Sequence, residues 1–451
     1  MTNAAQTLVE RIERHDFPPY AYTYPPTRMY RPVDNFNVEE VVLTDKVNVY
    51  LHIPFCEQKC TFCGYLTTID GKGDFQEAYV EALLSELEMR RGLFESRNVT
   101  SVNFGGGTPS LLTTDQFERV FYKLLEINPS LLETAEEVSI EATPESVEYE
   151  KFRQFRESGV NRVSIGIQTF HDEEIALSKR HNWARVSTNA IEALRRAGIP
   201  NVCCDLMYGI EGQTIDSWKE SVQGLLEYMP ETIELYALAV QPHTSLGVKP
   251  RKIMNNVDKY YSYEIARDLL LEAGYIHDSH LRFILPTRGF YAQQVNVSRG
   301  QSLVGFGAGA RTYAVNVHYR NCFDMTFPKD AIRRYMQKMS QSEHPIQTAF
   351  FLDTDERMRR YVIGRIDHLG MRDFKEEFGL EFYEAFSDLY SMLLERGLAG
   401  YERGIFRLTS EGLKYRELIV NVFFSDEALR REQSYWISVK LREERIIEER
   451  K

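Results

Sequence analysis

His52-Ile-Pro-Phe-Cys-Glu-Gln-Lys-Cys-Thr-Phe-Cys-Gly64 decides the reading of this chain. Cys56, Cys60 and Cys63 stand in a C-x3-C-x2-C spacing directly after Val47 to Ile53, a β-branched run that predicts a strand. The chain has six cysteines in 451 residues, too few for a disulfide framework, and three of them crowd into this loop. The triplet therefore points to a metal site in a reducing compartment. A structural zinc site closes with four ligands, and no fourth thiolate stands nearby. A cube of four irons held by three cysteines leaves one iron open to a chelating ligand, which this spacing favours.

Outward from the loop, short apolar runs alternate with polar or glycine turns and helical periods, the mark of repeated βα units on a parallel sheet. Six runs recur: Val47 to Ile53, Ser101 to Phe104, Glu137 to Ala142, Arg162 to Ile167, Val202 to Tyr208 and Thr232 to Leu238. Ala78 to Arg90 and Ala190 to Ala197 read as amphipathic helices between them. Six units predict an α/β partial (β/α)6 barrel. From Met254 to Met339 the pattern is irregular, and Gly305-Phe-Gly-Ala-Gly-Ala310 reads as a close-packed turn more than a ligand cradle. After Thr348 the chain is helical, with Phe374, Phe378, Phe382 and Leu394 on a core face and a hairpin near Gly404, a small winged-helix-like domain. Domains are thus expected at 1–45, an N-terminal extension covering the site; 46–345, the barrel with an accessory segment; and 346–451, the helix-rich domain.

Hydrophobic residues at 43% and aromatic residues at 12% supply ample core, and the length calls for more than one domain. The net charge of -12, with no basic block, disfavours nucleic acid and anionic membrane as partners. No apolar run reaches a membrane span and Met1 to Arg14 lacks a signal region, so a cytoplasmic location is expected.

The cysteine loop resembles that of the radical S-adenosylmethionine (SAM) superfamily. Asn103-Phe-Gly-Gly-Gly-Thr-Pro109, Ser139-Ile-Glu-Ala142, Arg162-Val-Ser-Ile-Gly-Ile-Gln168, Asp205-Leu-Met-Tyr-Gly209 and Val304-Gly-Phe-Gly-Ala-Gly-Ala310 narrow the resemblance to its oxygen-independent coproporphyrinogen III oxidase-like family, across about Val47 to Ser425. The resemblance implies a 4Fe-4S cluster on Cys56, Cys60 and Cys63, and SAM as cofactor. Gly105, Gly106, Gly107 and Thr108 would receive the SAM amino group. Glu141 would accept from its ammonium or ribose, Arg180 would pair with its carboxylate, with Arg162 the next candidate, and Gln168 and Asp205 would hold the ribose. Tyr50 and Glu141 are the catalytic candidates, and His52 would order the loop. The family also implies a second SAM, on Met207, Ala239 and Gln293, and a flavodoxin or ferredoxin-type reductant. Cys203, Cys204 and Cys322 read as buried spectators, the first two on opposite faces of a strand.

One departure is informative. The family's oxidases carry a further cysteine in a Cys-Gly-Cys-Asn arrangement, where this chain has Cys63-Gly-Tyr65. On that ground the sequence favours the family's carbon-transfer relatives: a first SAM supplies the radical and the second donates a methyl or methylene group to an unsaturated or aromatic small molecule. The alternatives are coproporphyrinogen oxidation or another tetrapyrrole reaction, in which Arg28 and Arg31 could meet propionates, and a non-catalytic haem chaperone.

Overall fold

The computed structural model describes residues 3–17, 23–69, 73–180, 183–249 and 251–449. Part of the proline- and tyrosine-rich stretch that begins at Phe17, residues 18–22, lies outside them. Six parallel strands run in chain order across one sheet: β1 (Lys46–Ile53), β2 (Asn98–Gly106), β3 (Glu137–Ala142), β4 (Arg162–Gln168), β5 (Asn201–Tyr208) and β6 (Thr232–Ala237). The expected partial barrel is present, with β2 longer than its apolar run because Asn98, Val99 and the terminal glycines also pair, Thr100 being passed over at a register shift. Alternation sorts each strand: Val47, Val49, Leu51 and Ile53 join the core, while Tyr50 and His52 lie on the other face.

Helices cover the core side. Asp74–Met89 buries Tyr79, Val80, Leu83 and Leu87, and Thr114–Ile127 buries Phe117, Val120, Phe121 and Leu124 after a Thr113/Gln116 capping box. At about 1.5–3 kcal/mol per fully buried large apolar side chain, these stripes hold the sheet against its helices.

Beyond β1 the sheet continues where the sequence looked irregular. β7 (Ser302–Phe306) lies parallel to β1, and β8 (Arg311–Tyr313), β9 (Val317–Asn321) and β10 (Ile346–Phe351) follow antiparallel. The Gly305 to Gly309 passage is tight packing, as expected. A Cβ on Gly305 would lie 2.2 Å from the Arg311 carbonyl oxygen, and one on Gly307, at φ +98°, 2.5 Å from the Tyr79 hydroxyl. The buried Glu86 carboxylate anchors this turn, accepting from the Gly307 amide at 2.6 Å and from Asn321 at 2.8 Å and pairing with Arg90.

In the C-terminal part, Phe374 and Phe382 are buried, Phe378 and Leu394 partly so, and strands Ala399–Glu402 and Ile405–Leu408 turn at Arg403-Gly404. Leu8, Tyr24, Met29 and Tyr30 of the N-terminal segment join this second core, and Arg31–Pro32 adds an edge strand to β10. No helix among the described residues is long and apolar enough to cross a membrane.

Candidate active site

The cysteine loop leaves the end of β1 and is pinned on several sides. The Cys56 amide donates to the Thr68 carbonyl at 3.0 Å, the Thr61 amide to Ser178 at 3.2 Å, and the Leu246 amide to the Thr61 carbonyl at 3.0 Å. Thr108 reaches the Cys56 sulfur at 3.6 Å. All three thiols are raised by burial, Cys56 to about 12, so they need a metal to be held as thiolates. Cys203, Asp205 and Glu234 are the one group of three ligand atoms within 4.8 Å of one another among the described residues.

The three glycines at the end of β2 have a firm local cause. A Cβ on Gly106, at φ +116°, would meet the His52 ring at 2.5 Å, one on Gly105 the Glu141 carboxylate at 2.7 Å, and one on Gly107 the Phe55 carbonyl at 2.5 Å. The close approach is to the protein's own groups. The Gly106 amide already donates to Glu141 at 2.9 Å, which leaves carbonyl oxygens as the acceptors for an ammonium. His52 is 3% exposed; its Nε2 donates to the Leu66 carbonyl at 3.0 Å and its Nδ1 accepts from Tyr50 at 3.1 Å. Burial lowers it to about 4, so it is a neutral brace for the loop.

Strand ends β3 to β5 bring Glu141, Gln168 and Asp205 to the same side of the sheet. Gln168 sits at φ +72°, a strained conformation for a non-glycine residue, and its buried Oε1 has no hydrogen-bond partner. Arg180 is 6% exposed, donates from Nη2 to the Gly166 carbonyl at 2.6 Å, leaves Nε unpartnered, and lends its charge to Cys60. Burial raises Glu141 and, more strongly, Asp205, whose neighbour Glu234 adds to the effect; Ser164 donates to Asp205 at 3.1 Å. Strained or unpartnered amide and guanidinium groups beside two reluctant carboxylates await a ligand carrying both charges, and SAM, a cationic amino acid nucleoside, has that character.

Other candidates lie elsewhere. Arg162 is 1% exposed, stacks on Tyr291 at 3.8 Å and faces Glu137, so it belongs to the sheet's buried floor and is no second choice for the SAM carboxylate. Gln293 is 2% exposed, with its amide toward the Val49 carbonyl at 3.5 Å, apart from the strand ends. Met207 stays near the site, packing against the Ile210, Leu238 and Leu246 cluster that also receives Phe62 of the cysteine loop, whereas Ala239 lines a small hollow with Phe17 and Tyr208. Cys203 lies beside Asp205 and Cys204 in the core, on opposite faces. Arg28 pairs with Glu432 at 2.5 Å and Arg31 donates to main-chain carbonyls, so neither is free for a propionate. A cavity of about 1440 Å³ lies between helix Ala292–Ser298 and the C-terminal domain, away from the cysteines.

Sequence reasoning missed Arg311 and took Tyr65 only as the residue standing in place of a cysteine. Tyr65 is 58% exposed, yet surrounding protein raises its hydroxyl to about 12 through burial and then Glu141, as for a side chain lining an internal hollow. Arg311 acts on both Tyr65 and His52.

Residues 50–225 match the model of the radical SAM superfamily. Fold and loop agree with that match, so over this stretch the chain is similar to radical SAM proteins, a superfamily that implies a 4Fe-4S cluster and SAM. Its homologues within that superfamily are HemN-like. The heme chaperone HemW of Lactococcus lactis is 27% identical over 392 residues, 84% of this chain and 98% of that protein. The oxygen-independent coproporphyrinogen III oxidase of Pseudomonas aeruginosa is 26% identical over 388 residues, 81% of each. The solved structure of coproporphyrinogen III oxidase (HemN) from Escherichia coli shares the fold, with a TM-score of 0.77, 23% identity and coverage of 90% of this chain and 96% of that one. These relatives overturn the expected methyl or methylene transfer: the absence of a further cysteine at Tyr65 is a local departure, whereas similarity to chaperones and oxidases runs along most of the chain.

Proposed function

We propose that this protein is a radical SAM enzyme acting on a tetrapyrrole, in the manner of coproporphyrinogen oxidation or a related haem reaction. The observation that carries the SAM half is the convergence of strained Gln168 and part-unpartnered Arg180 on the strand ends beside Cys60. The tetrapyrrole half is supported by the two kinds of relative, one named for haem and the other for coproporphyrinogen.

Cys56, Cys60 and Cys63 would hold the cluster. Once bound, the cluster and SAM would supply radical hydrogen-abstraction chemistry, with the electron coming from an external reductant and methionine as the leaving group. The chain's own part is binding and orientation. The Arg180 fork suits the SAM carboxylate, and Asp205 and Glu141, held toward neutrality by burial, ionise more readily against a bound cation. Neutral His52 fixes Tyr50 and the loop while carrying no charge that would repel that cation. A small flavodoxin or ferredoxin-type reductant is the proposed electron source. Each hydrogen abstraction needs one SAM bound at a time, and Gln293, turned to the Val49 carbonyl, gives a second bound SAM little support.

The second reading, a haem chaperone, is favoured by the match to 98% of the length of HemW and by Tyr65 in place of the oxidases' cysteine. Anaerobically reconstituted, reduced protein with SAM separates the two. The enzyme reading predicts 5'-deoxyadenosine that increases on adding coproporphyrinogen III or haem; stoichiometric haem binding with no increase supports the chaperone.

A further inference from the structure

Strands β8 and β9 place Arg311 and Arg320 directly opposite each other on one face of the sheet. Like charges so paired repel. Tyr313 and His318 form the next pair on that face, and Thr348 of β10 lies opposite Arg320. Helix Thr354–Arg365 adds Arg360, whose Nη1 donates to the Ala314 carbonyl at 2.6 Å. The N-terminal segment adds Tyr30, 5% exposed, whose hydroxyl feels all three guanidiniums. The groups acting most on those guanidiniums are tyrosines and further arginines, with no carboxylate among them. Burial pushes Arg320 and Arg360 down to about 10, and Arg311 adds to the effect on Arg320.

Hydrogen bonding shows the same deficit. Tyr30 Oη, Arg320 Nε, Arg360 Nη2, both ring nitrogens of His318 and Thr348 Oγ1 are shielded from solvent without a partner. Folded proteins leave few such atoms. Here they gather around three cations, and all but one His318 nitrogen can donate, so the missing component is an anion with several acceptor oxygens. The cluster lies beyond β1 in the strand order, on the side away from β4 and Arg180, and Arg311 links it to the lumen through His52 and Tyr65.

We propose that Arg311, Arg320 and Arg360, with Tyr30 and His318 as neutral donors, bind a carboxylate arm of the substrate. The identity of the molecule bearing that arm rests on the tetrapyrrole reading; the carboxylate site does not. Paired guanidinium forks suit a carboxylate better than ammonium groups would.

The test is titration of the reconstituted protein with coproporphyrin III and with its tetramethyl ester, alongside Arg320→Gln and Arg360→Gln. Wild type should bind the acid at least about tenfold more tightly than the ester. Each variant should lose about tenfold for the acid and little for the ester, and Arg320→Gln should melt no lower than wild type without ligand, because the neighbour repelling Arg311 is gone. An acid-to-ester ratio unchanged in both variants would overturn the site. Should a glutamine variant fail to fold, Arg320→Lys, which keeps charge and loses the fork, should show an intermediate ratio; an unchanged ratio there counts against the site equally. If wild type binds neither porphyrin, the tetrapyrrole reading fails and glutarate decides the site. A saturable rise in melting temperature with glutarate, lost in the variants, sustains it; no rise overturns it.

Discussion

The Glu141 carboxylate accepts the Gly106 amide hydrogen at 2.9 Å, tying the end of β3 to the glycine-rich end of β2. A Cβ at Gly106 would lie 2.5 Å from the His52 ring, and that ring is held from both sides by Tyr50 and Leu66. The acidic strand end, the glycine-rich end of β2 and the cysteine loop are therefore packed as one unit, so changes at any of the three should register at the others.

Gly106→Ala is expected to be costly, since φ is +116° and His52 has nowhere to turn. Strain of about 1–3 kcal/mol adds to the overlap. Chemical denaturation should show a loss of at least about 2 kcal/mol, with lower iron content after reconstitution. A variant as stable and iron-rich as wild type would contradict this packing.

Replacing Cys56, Cys60 or Cys63 singly by Ala should abolish the cluster's visible absorbance and SAM cleavage. Cys322→Ala, whose thiol only donates to the Pro345 carbonyl at 3.3 Å, should retain both. Iron analysis of the four variants checks the assignment.

Arg180→Ala should weaken SAM binding by about ten- to a hundredfold, the value of one charge-assisted contact of roughly 1.5–3 kcal/mol, while leaving the cluster in place. Equilibrium binding of SAM to the reconstituted variant measures it, and unchanged affinity would move the carboxylate to another residue.

Asp205 links stability to pH with a definite sign. Burial and Glu234 raise its folded-state carboxyl well above the unfolded value of about 3.9. Between those values the unfolded chain has released the proton and the folded chain has kept it, so stability falls as pH rises through that window. Asp205→Asn should flatten this fall and raise the melting temperature of the ligand-free protein at pH 7 by about 2 °C or more, while reducing SAM affinity. Melting curves from pH 4 to pH 8 with and without SAM provide the check.

Local pattern made the six parallel strands legible, because each is a β-branched or apolar run between turn residues. It could not show β7: Ser302-Leu-Val-Gly-Phe306 is short, glycine-interrupted and pairs with β1 some 250 residues earlier. The same non-locality hid the Arg311 and Arg320 pair, which exists only through cross-strand register. Among site residues, Glu141, Gln168, Arg180 and Asp205 were accessible through motif resemblance, whereas the positive φ of Gln168 and the engagement of Arg162 with Tyr291 required coordinates. The carbon-transfer expectation rests on one residue, Tyr65, and the similarity to a heme chaperone and a coproporphyrinogen oxidase along most of the chain outweighs it.

The most direct measurement is mass spectrometry of 5'-deoxyadenosine from reduced, anaerobic, reconstituted protein given SAM and coproporphyrinogen III deuterated along its propionate side chains. If hydrogen is taken from the tetrapyrrole, 5'-deoxyadenosine gains one deuterium and forms faster than with SAM alone. Deoxyadenosine without deuterium, formed at the same rate with or without the tetrapyrrole, would contradict the proposed function.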